Sequence, residues 1–146
     1  MGDIPHVTVY TDGACEPNPG PGGWAALLRF GRNEKELSGA EADTTNNRME
    51  LTAAVQAFGA LKEPCQVDFF TDSEYLRRGI TEWLPDWRRR GWKRKSGQLR
   101  NTDLWQALEA SLKGHAITWH WVRGHAGDRL NQRVDSLARK AMRQIP

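Results

Sequence analysis

The chain has 146 residues, 38% of them hydrophobic and 27% charged, a balance that excludes an intrinsically disordered protein and leaves room for one full hydrophobic core. No run approaches 18 apolar residues, which excludes a transmembrane helix, and the start "MGDIPHVTVY" lacks the basic and apolar regions of a signal peptide, so a cytoplasmic protein with Cys15 and Cys65 reduced is expected. The net charge is only +3, yet eight basic residues fall between Arg77 and Lys95 against Glu82 and Asp86, so a strongly basic segment sits on a mildly acidic body and points to a polyanionic partner.

Taken in chain order, β-branched and aromatic residues predict a first strand over 4–11, ending at the acid Asp12 and a loop dense in Gly and Pro. That loop has neither the G-K-[ST] nor the G-x-G-x-x-G pattern of a phosphate cradle. Strands follow over 23–30 and 35–42, the latter more polar and nearer an edge. The short connections make these three an antiparallel meander. A helix over 47–61 comes next, then a fourth strand, "CQVDFFTD". "SEYLRRGITEWL" reads as a helix that Pro85 interrupts, with a restart in "DWRRRGW". "NTDLWQALEASLKG" has an Asn or Thr cap and a Gly stop, "AITWHWV" alternates as a fifth strand, and 128–144 closes the chain as a helix with Leu130, Val134, Leu137, Ala138, Ala141 and Met142 on its apolar side. Three strands followed by alternating helix and strand give an α/β fold, a mixed sheet covered by helices, in a single domain over 1–146.

Four acids carry the chemical signal. "YTDG" closes the first strand and "FTDS" the fourth; if those strands are parallel neighbours, Asp12 and Asp72 emerge side by side at their carboxyl ends, where open α/β sheets hold ligands. Glu50 shares a helical row with Ala54, Phe58 and Leu61, and so faces the core side. Asp135 sits beside the apolar stripe of the last helix. Taken singly, Asp12 and Asp72 read sooner as turn formers or caps and Asp135 as a solvated flank, while Glu50 reads equally as half of a capping box with Asn47. Taken together, four acids without basic partners need compensating charge. Hard carboxylate oxygens suit Mg²⁺ or Mn²⁺, and two such ions can promote in-line displacement at a phosphate.

The motifs "YTDGACEPNPGPGG", "TTNNRMEL", "FTDSEY", "RGWK", "WVRGHAG" and "NQRVDSLA" occur in an order and spacing that resembles bacterial type 1 ribonuclease H over nearly the whole chain. The resemblance implies a five-stranded mixed sheet, its first three strands antiparallel, with helices on both faces. It also implies endonucleolytic cleavage of the RNA strand of RNA–DNA hybrids using two Mg²⁺ ions, with Mn²⁺ able to substitute, and products with 5′-phosphate and 3′-hydroxyl ends; the sequence carries no oligomeric signal, so a monomer is the default expectation. Carried over residue by residue, Asp12, Glu50, Asp72 and Asp135 hold the metals. His125, in "RGHAGD", matches the histidine thought to shuttle a proton or help product leave, and a loop His titrates in the right range. Asn18, Asn46 and Asn47 match contacts to the hybrid's minor groove, where the 2′-OH distinguishes RNA. Thr45 and Asn101 match a pocket for a DNA-strand phosphate. The segment 77–100, with Trp83, Trp87, Arg88, Arg89, Arg90 and Lys93, matches a basic protrusion with an aromatic beside the DNA sugar. His6, His115 and His120 match no motif and read as structural or exposed.

Three features depart from the pattern. Position 74 is Glu where relatives often carry Gln, the loop after "GHAG" lacks the frequent Pro or His, and the tail is short. The alternatives are a related nuclease of the same sheet, such as a transposase or resolvase, and a non-catalytic hybrid-binding module. The first lacks "NNRME" and the basic segment, and the second requires a broken acid set.

Overall fold

The structure, a computed structural model, describes residues 4–92, 101–123 and 129–145. Its strands are β1 (His6–Cys15), β2 (Gly20–Phe30), β3 (Asn33–Thr44), β4 (Gln66–Thr71) and β5 (Ala116–Trp121), in the order β3-β2-β1-β4-β5. β1, β2 and β3 pair antiparallel, while β4 and β5 add in parallel. The expected five-stranded mixed sheet is present, with polar β3 at one edge.

Alternation along β1 serves both faces of the sheet. Val7 and Val9 join a core with Leu51, Ala54 and Phe58 of helix α1 (Asn46–Gly59) and with Trp105 and Leu108 of helix α4 (Thr102–Leu112). Tyr10 and Ala14 point the other way, onto Val134, Ala138 and Met142 of helix α5 (Arg129–Arg143). Helices therefore cover both faces, as expected, and the apolar side of α5 is the predicted one. Each fully buried Leu or Phe contributes about 1.5–3 kcal/mol by leaving water. Among the described residues no helix is long and apolar enough to cross a membrane.

The Gly-rich stretch serves packing. A Cβ on Gly13 would lie 2.5 Å from the backbone nitrogen of Glu50, and one on Gly23 would lie 2.2 Å from the carbonyl oxygen of Ala138. Bare backbone at these two positions lets α1 and α5 close onto opposite faces of the same strand pair. No phosphate cradle is needed to account for it.

Two local expectations are corrected. Asp12 does not end its strand: β1 runs on to Cys15, and Asp12 pairs with Ala25 of β2. The β1–β4 ladder ends at Tyr10 and Phe70, so β1 outruns β4 by several residues, sustained by β2. Pro85 does not stop the helix of 73–84. Helix α2 (Glu74–Arg78) passes through one wide π turn, Gly79–Trp83, into helix α3 (Leu84–Arg89). There Pro85 falls in the first turn, where a missing N–H costs little.

A carboxylate cavity and an adjoining amide pocket

β1 and β4 run parallel, so Asp12, two residues past the last paired Tyr10, is level with Asp72, two past Phe70. Asp12, Glu50, Asp72 and Asp135 line a single cavity of about 210 Å³, with Gly13, Asn131, Gln132 and Arg139 completing its wall. The structure thus brings together all four predicted acids, from β1, α1, the end of β4 and α5.

Asp12 is 8% exposed and accepts a 2.9 Å hydrogen bond from the Gly13 N–H. Burial, the Asp72 charge and a hydrogen bond with Asp135 outweigh that bond and push its carboxyl up to about 8. Glu50 is pushed up to about 7, mainly by burial and then by Asp72, against hydrogen bonds that favour the anion. Those bonds come from Asn46 Nδ2 at 2.8 Å and from the Ser73 hydroxyl. The capping box of Asn47 and Glu50, the alternative reading of that acid, is not formed. Thr45 is the N-cap, accepting from the Arg48 N–H at 3.2 Å, which leaves Glu50 free to turn into the cavity.

The donor chemistry fits divalent cations. The carboxylates supply hard oxygen ligands, and burial, with the Asp72 charge adding to it, pushes two of them up to about 7 and about 8, a cost that a bound cation would offset. Among the described residues no three acidic, imidazole or thiol groups stand close enough to hold an ion as they are. Protein partners occupy some of the oxygens instead. Arg139 donates to both oxygens of Asp135 at 3.2 and 3.4 Å, and Asn131 Nδ2 approaches Asp72 at 3.5 Å. A carboxylate has about four lone-pair sites, so one such bond per oxygen leaves capacity for a metal.

Beside the cavity lies a second pocket of about 390 Å³, lined by Asn18, Thr45, Asn47, Tyr75 and Asn101. Asn46 bridges the two: its N–H donates to Asn18 Oδ1 at 3.1 Å while its side chain holds Glu50. The predicted amide residues and Thr45 therefore gather at one end of α1.

The basic segment is less free than its sequence implies. Arg88 pairs with Glu109, Arg89 and Arg90 with Asp86 at 3.2 and 3.1 Å, Arg77 with Glu74 at 3.7 Å, and Arg78 with Glu82 at 3.5 Å. Glu74, the departure from the family pattern, is thus an exposed ion-pair partner. Trp83 and Trp87 stack at 6.0 Å and pack with Trp105, so much of their surface belongs to the core. His125, Lys93, Arg94 and Lys95 lie outside the described residues. His6 and His120 flank Asp68, the latter at 2.7 Å, and His115 Nδ1 accepts from the Cys65 N–H at 3.0 Å, which makes all three structural.

Sequence reasoning passed over Ser73, Arg139, Asn131, Arg48 and Tyr75. Arg139 had a signal, lying four residues after Asp135 on one helical row. Ser73 had one as the N-cap of α2.

The RNase H family profile matches residues 5–143. A ribonuclease H of Agrobacterium fabrum is 59% identical over 138 residues, covering 94% of each chain. A ribonuclease HI of Brucella melitensis is 58% identical over 137 residues, 93% of this chain and 89% of the relative. Among solved structures, LC9-RNase H1, described as a type 1 RNase H with the type 2 active-site motif, superposes with a TM-score of 0.87 at 38% identity, over 97% of this chain and 74% of that one. With the carboxylate cavity and sheet order already in place, these matches settle the family: the chain belongs to the ribonuclease H hydrolases, in the bacterial type 1 branch.

Proposed function

We propose that this chain is an endonuclease that hydrolyses the RNA strand of RNA–DNA hybrids by two-metal-ion phosphodiester cleavage, leaving 5′-phosphate and 3′-hydroxyl ends. The observation that carries the reading is the joining of two sites by one residue. Asn46 hydrogen-bonds one lining residue of each, Glu50 of the four-carboxylate cavity and Asn18 of the neutral amide pocket. Cleavage chemistry and substrate grip are thereby held in register.

Asp12, Glu50, Asp72 and Asp135 would hold the cations. Two Mg²⁺ ions, or Mn²⁺ in their place, would supply Lewis acidity toward the attacking water and the leaving 3′-oxygen. Ser73 and Asn46 orient the Glu50 carboxylate and favour its anion. Arg139 holds Asp135 in place and offsets part of the cluster's repulsion. Asn18, Asn46 and Asn47 offer amides to base edges and 2′-hydroxyls in the minor groove. Thr45 and Asn101 take a backbone phosphate, and the basic protrusion, Lys93 included, adds long-range attraction with Trp83 and Trp87 beside the sugar. His125 moves a proton at the leaving oxygen or assists product departure. The protein works as a monomer in the cytoplasm, as one catalytic unit.

The test is incubation of end-labelled RNA–DNA hybrid, duplex DNA and duplex RNA with the protein, with Mg²⁺, Mn²⁺ or excess chelator. Only the RNA of the hybrid should be cut, and only with metal. Asp12→Asn should abolish cutting while still binding hybrid. Robust cleavage in chelator, or by Asp12→Asn, would refute the metal role of the carboxylates.

A further inference from the structure

The hydrogen-bond directions around the amide pocket leave one proton without a home. Arg48 Nη1 lies 3.2 Å from Asn101 Oδ1. A guanidinium only donates, so the Asn101 oxygen faces Arg48 and its NH₂ group faces away. Arg48 is itself clamped by Asp103 at 2.8 and 3.1 Å, which fixes this assignment. Asn101 Nδ2 then donates to the Tyr75 phenol oxygen at 2.9 Å. Trp105 Nε1, also only a donor, reaches the same oxygen at 3.0 Å. The phenol oxygen accepts two bonds, and both lone pairs are taken. Its own hydrogen must donate elsewhere, and no acceptor for it stands among the described residues, while Tyr75 lines the 390 Å³ pocket. Thr45 repeats the pattern: its hydroxyl oxygen accepts from the Arg48 N–H, and its hydrogen is left for the same pocket.

Five neutral side chains line this space, and no carboxylate does. Two hydroxyl hydrogens and the amide groups face it at the N-terminal end of a 14-residue helix. The ligand such a pocket suits accepts hydrogen bonds, and the helix N-terminus favours one that carries negative charge. A phosphodiester's non-bridging oxygens answer both needs, since they accept and cannot donate.

We propose that the Tyr75 hydroxyl is a direct phosphate ligand, donating to a backbone phosphodiester of the bound hybrid. The proposal rests on the hybrid-nuclease reading above and adds to it a donor.

The test uses the full chain in EDTA, so that binding is read without cleavage. The probe is a short RNA–DNA hybrid carrying a single uncharged methylphosphonate at successive positions of either strand. Wild type should lose affinity at one position of one strand, which identifies the strand gripped. Tyr75→Phe should raise the Kd of the unmodified hybrid about tenfold, the worth of one hydrogen bond to a charged group, and should lose most of the methylphosphonate penalty. Tyr75→Phe that binds like wild type, or that binds more weakly yet keeps the full penalty, overturns the proposal. Wild type that does not bind hybrid overturns the nuclease reading itself, before any variant is compared. Phe also strips Trp105 and Asn101 of their acceptor, so a second variant places 3,5-difluorotyrosine at 75. This keeps the acceptor but ionises near neutral pH, so affinity should fall as pH rises and the donor hydrogen is lost. A pH profile as flat as that of wild type overturns the role of the hydroxyl.

Discussion

Removing the Asp12 charge should stabilise the metal-free protein. Asp12 is buried, and its carboxyl is pushed from 3.8 up to about 8, first by burial and then by Asp72 and Asp135. The folded state therefore keeps a proton that the unfolded state has released. Stability is unaffected below about pH 4, falls as pH rises from there, and levels off above about pH 8. At about 1.4 kcal/mol per pK unit, the three units between 3.8 and pH 7 cost the wild type about 4 kcal/mol at most. Asp12→Asn avoids this penalty. Its side-chain oxygen can still accept from the Gly13 N–H, now at 2.9 Å, and its NH₂ can donate to Asp135. Burying that amide costs about 1–3 kcal/mol. The net gain is on the order of 2 kcal/mol, or about 6 °C in Tm for a domain near this size. The assay is thermal unfolding of both proteins in EDTA from pH 4 to 9: at the acid end the cost of burying the amide leaves the variant the less stable, and the difference then moves in its favour by about 4 kcal/mol up to pH 7. Mg²⁺ at a hundred times its Kd should then raise wild-type stability by about 2.7 kcal/mol and the variant much less. An Asp12→Asn protein that is no more stable than wild type at pH 8 in EDTA would show that the four acids are not a repelling cluster.

Ser73→Ala removes a hydroxyl that favours the Glu50 anion, so the Glu50 carboxyl should titrate above its present value of about 7 and Mg²⁺ binding should set in at higher pH; calorimetric titration across pH 6 to 9 reads this, and an unmoved onset refutes the role. Replacing Arg88, Arg89, Arg90, Lys93, Arg94 and Lys95 with Gln should weaken hybrid binding and flatten the slope of log affinity against log salt by about 0.7–0.9 for each phosphate that is no longer neutralised. Arg88, Arg89 and Arg90 already have Glu109 and Asp86 as partners, so the slope should change by less than removal of six free cations would cause, and no change at all would mark a merely solvated face. His125→Ala should slow turnover by no more than the roughly 10²- to 10⁴-fold typical of general acid–base help; a wild-type rate across pH 6 to 9 would remove His125 from the mechanism.

The order of strands and helices, the edge position of β3 and the apolar side of α5 were legible in the sequence because alternation, helical periodicity and caps act over a few residues. The two Thr-Asp repeats on the first and fourth strands also pointed to a shared site, since parallel neighbours bring equivalent positions level. What needed the tertiary structure was every feature whose partner is far along the chain. β1 continues past Asp12 because β2 pairs with it there, not because of anything in β1 itself. Glu50 turns inward because Ser73, 23 residues on, meets it and Thr45 takes over the cap. Glu109, on α4, neutralises Arg88 of a segment that reads as freely basic. The helix crosses Pro85 because a π turn puts the proline in a first turn, where its N–H is not needed. Local propensity chooses the elements, but a carboxylate's charge state and an arginine's freedom are set by the dielectric and the countercharges around them, and those exist only once the chain has closed on itself.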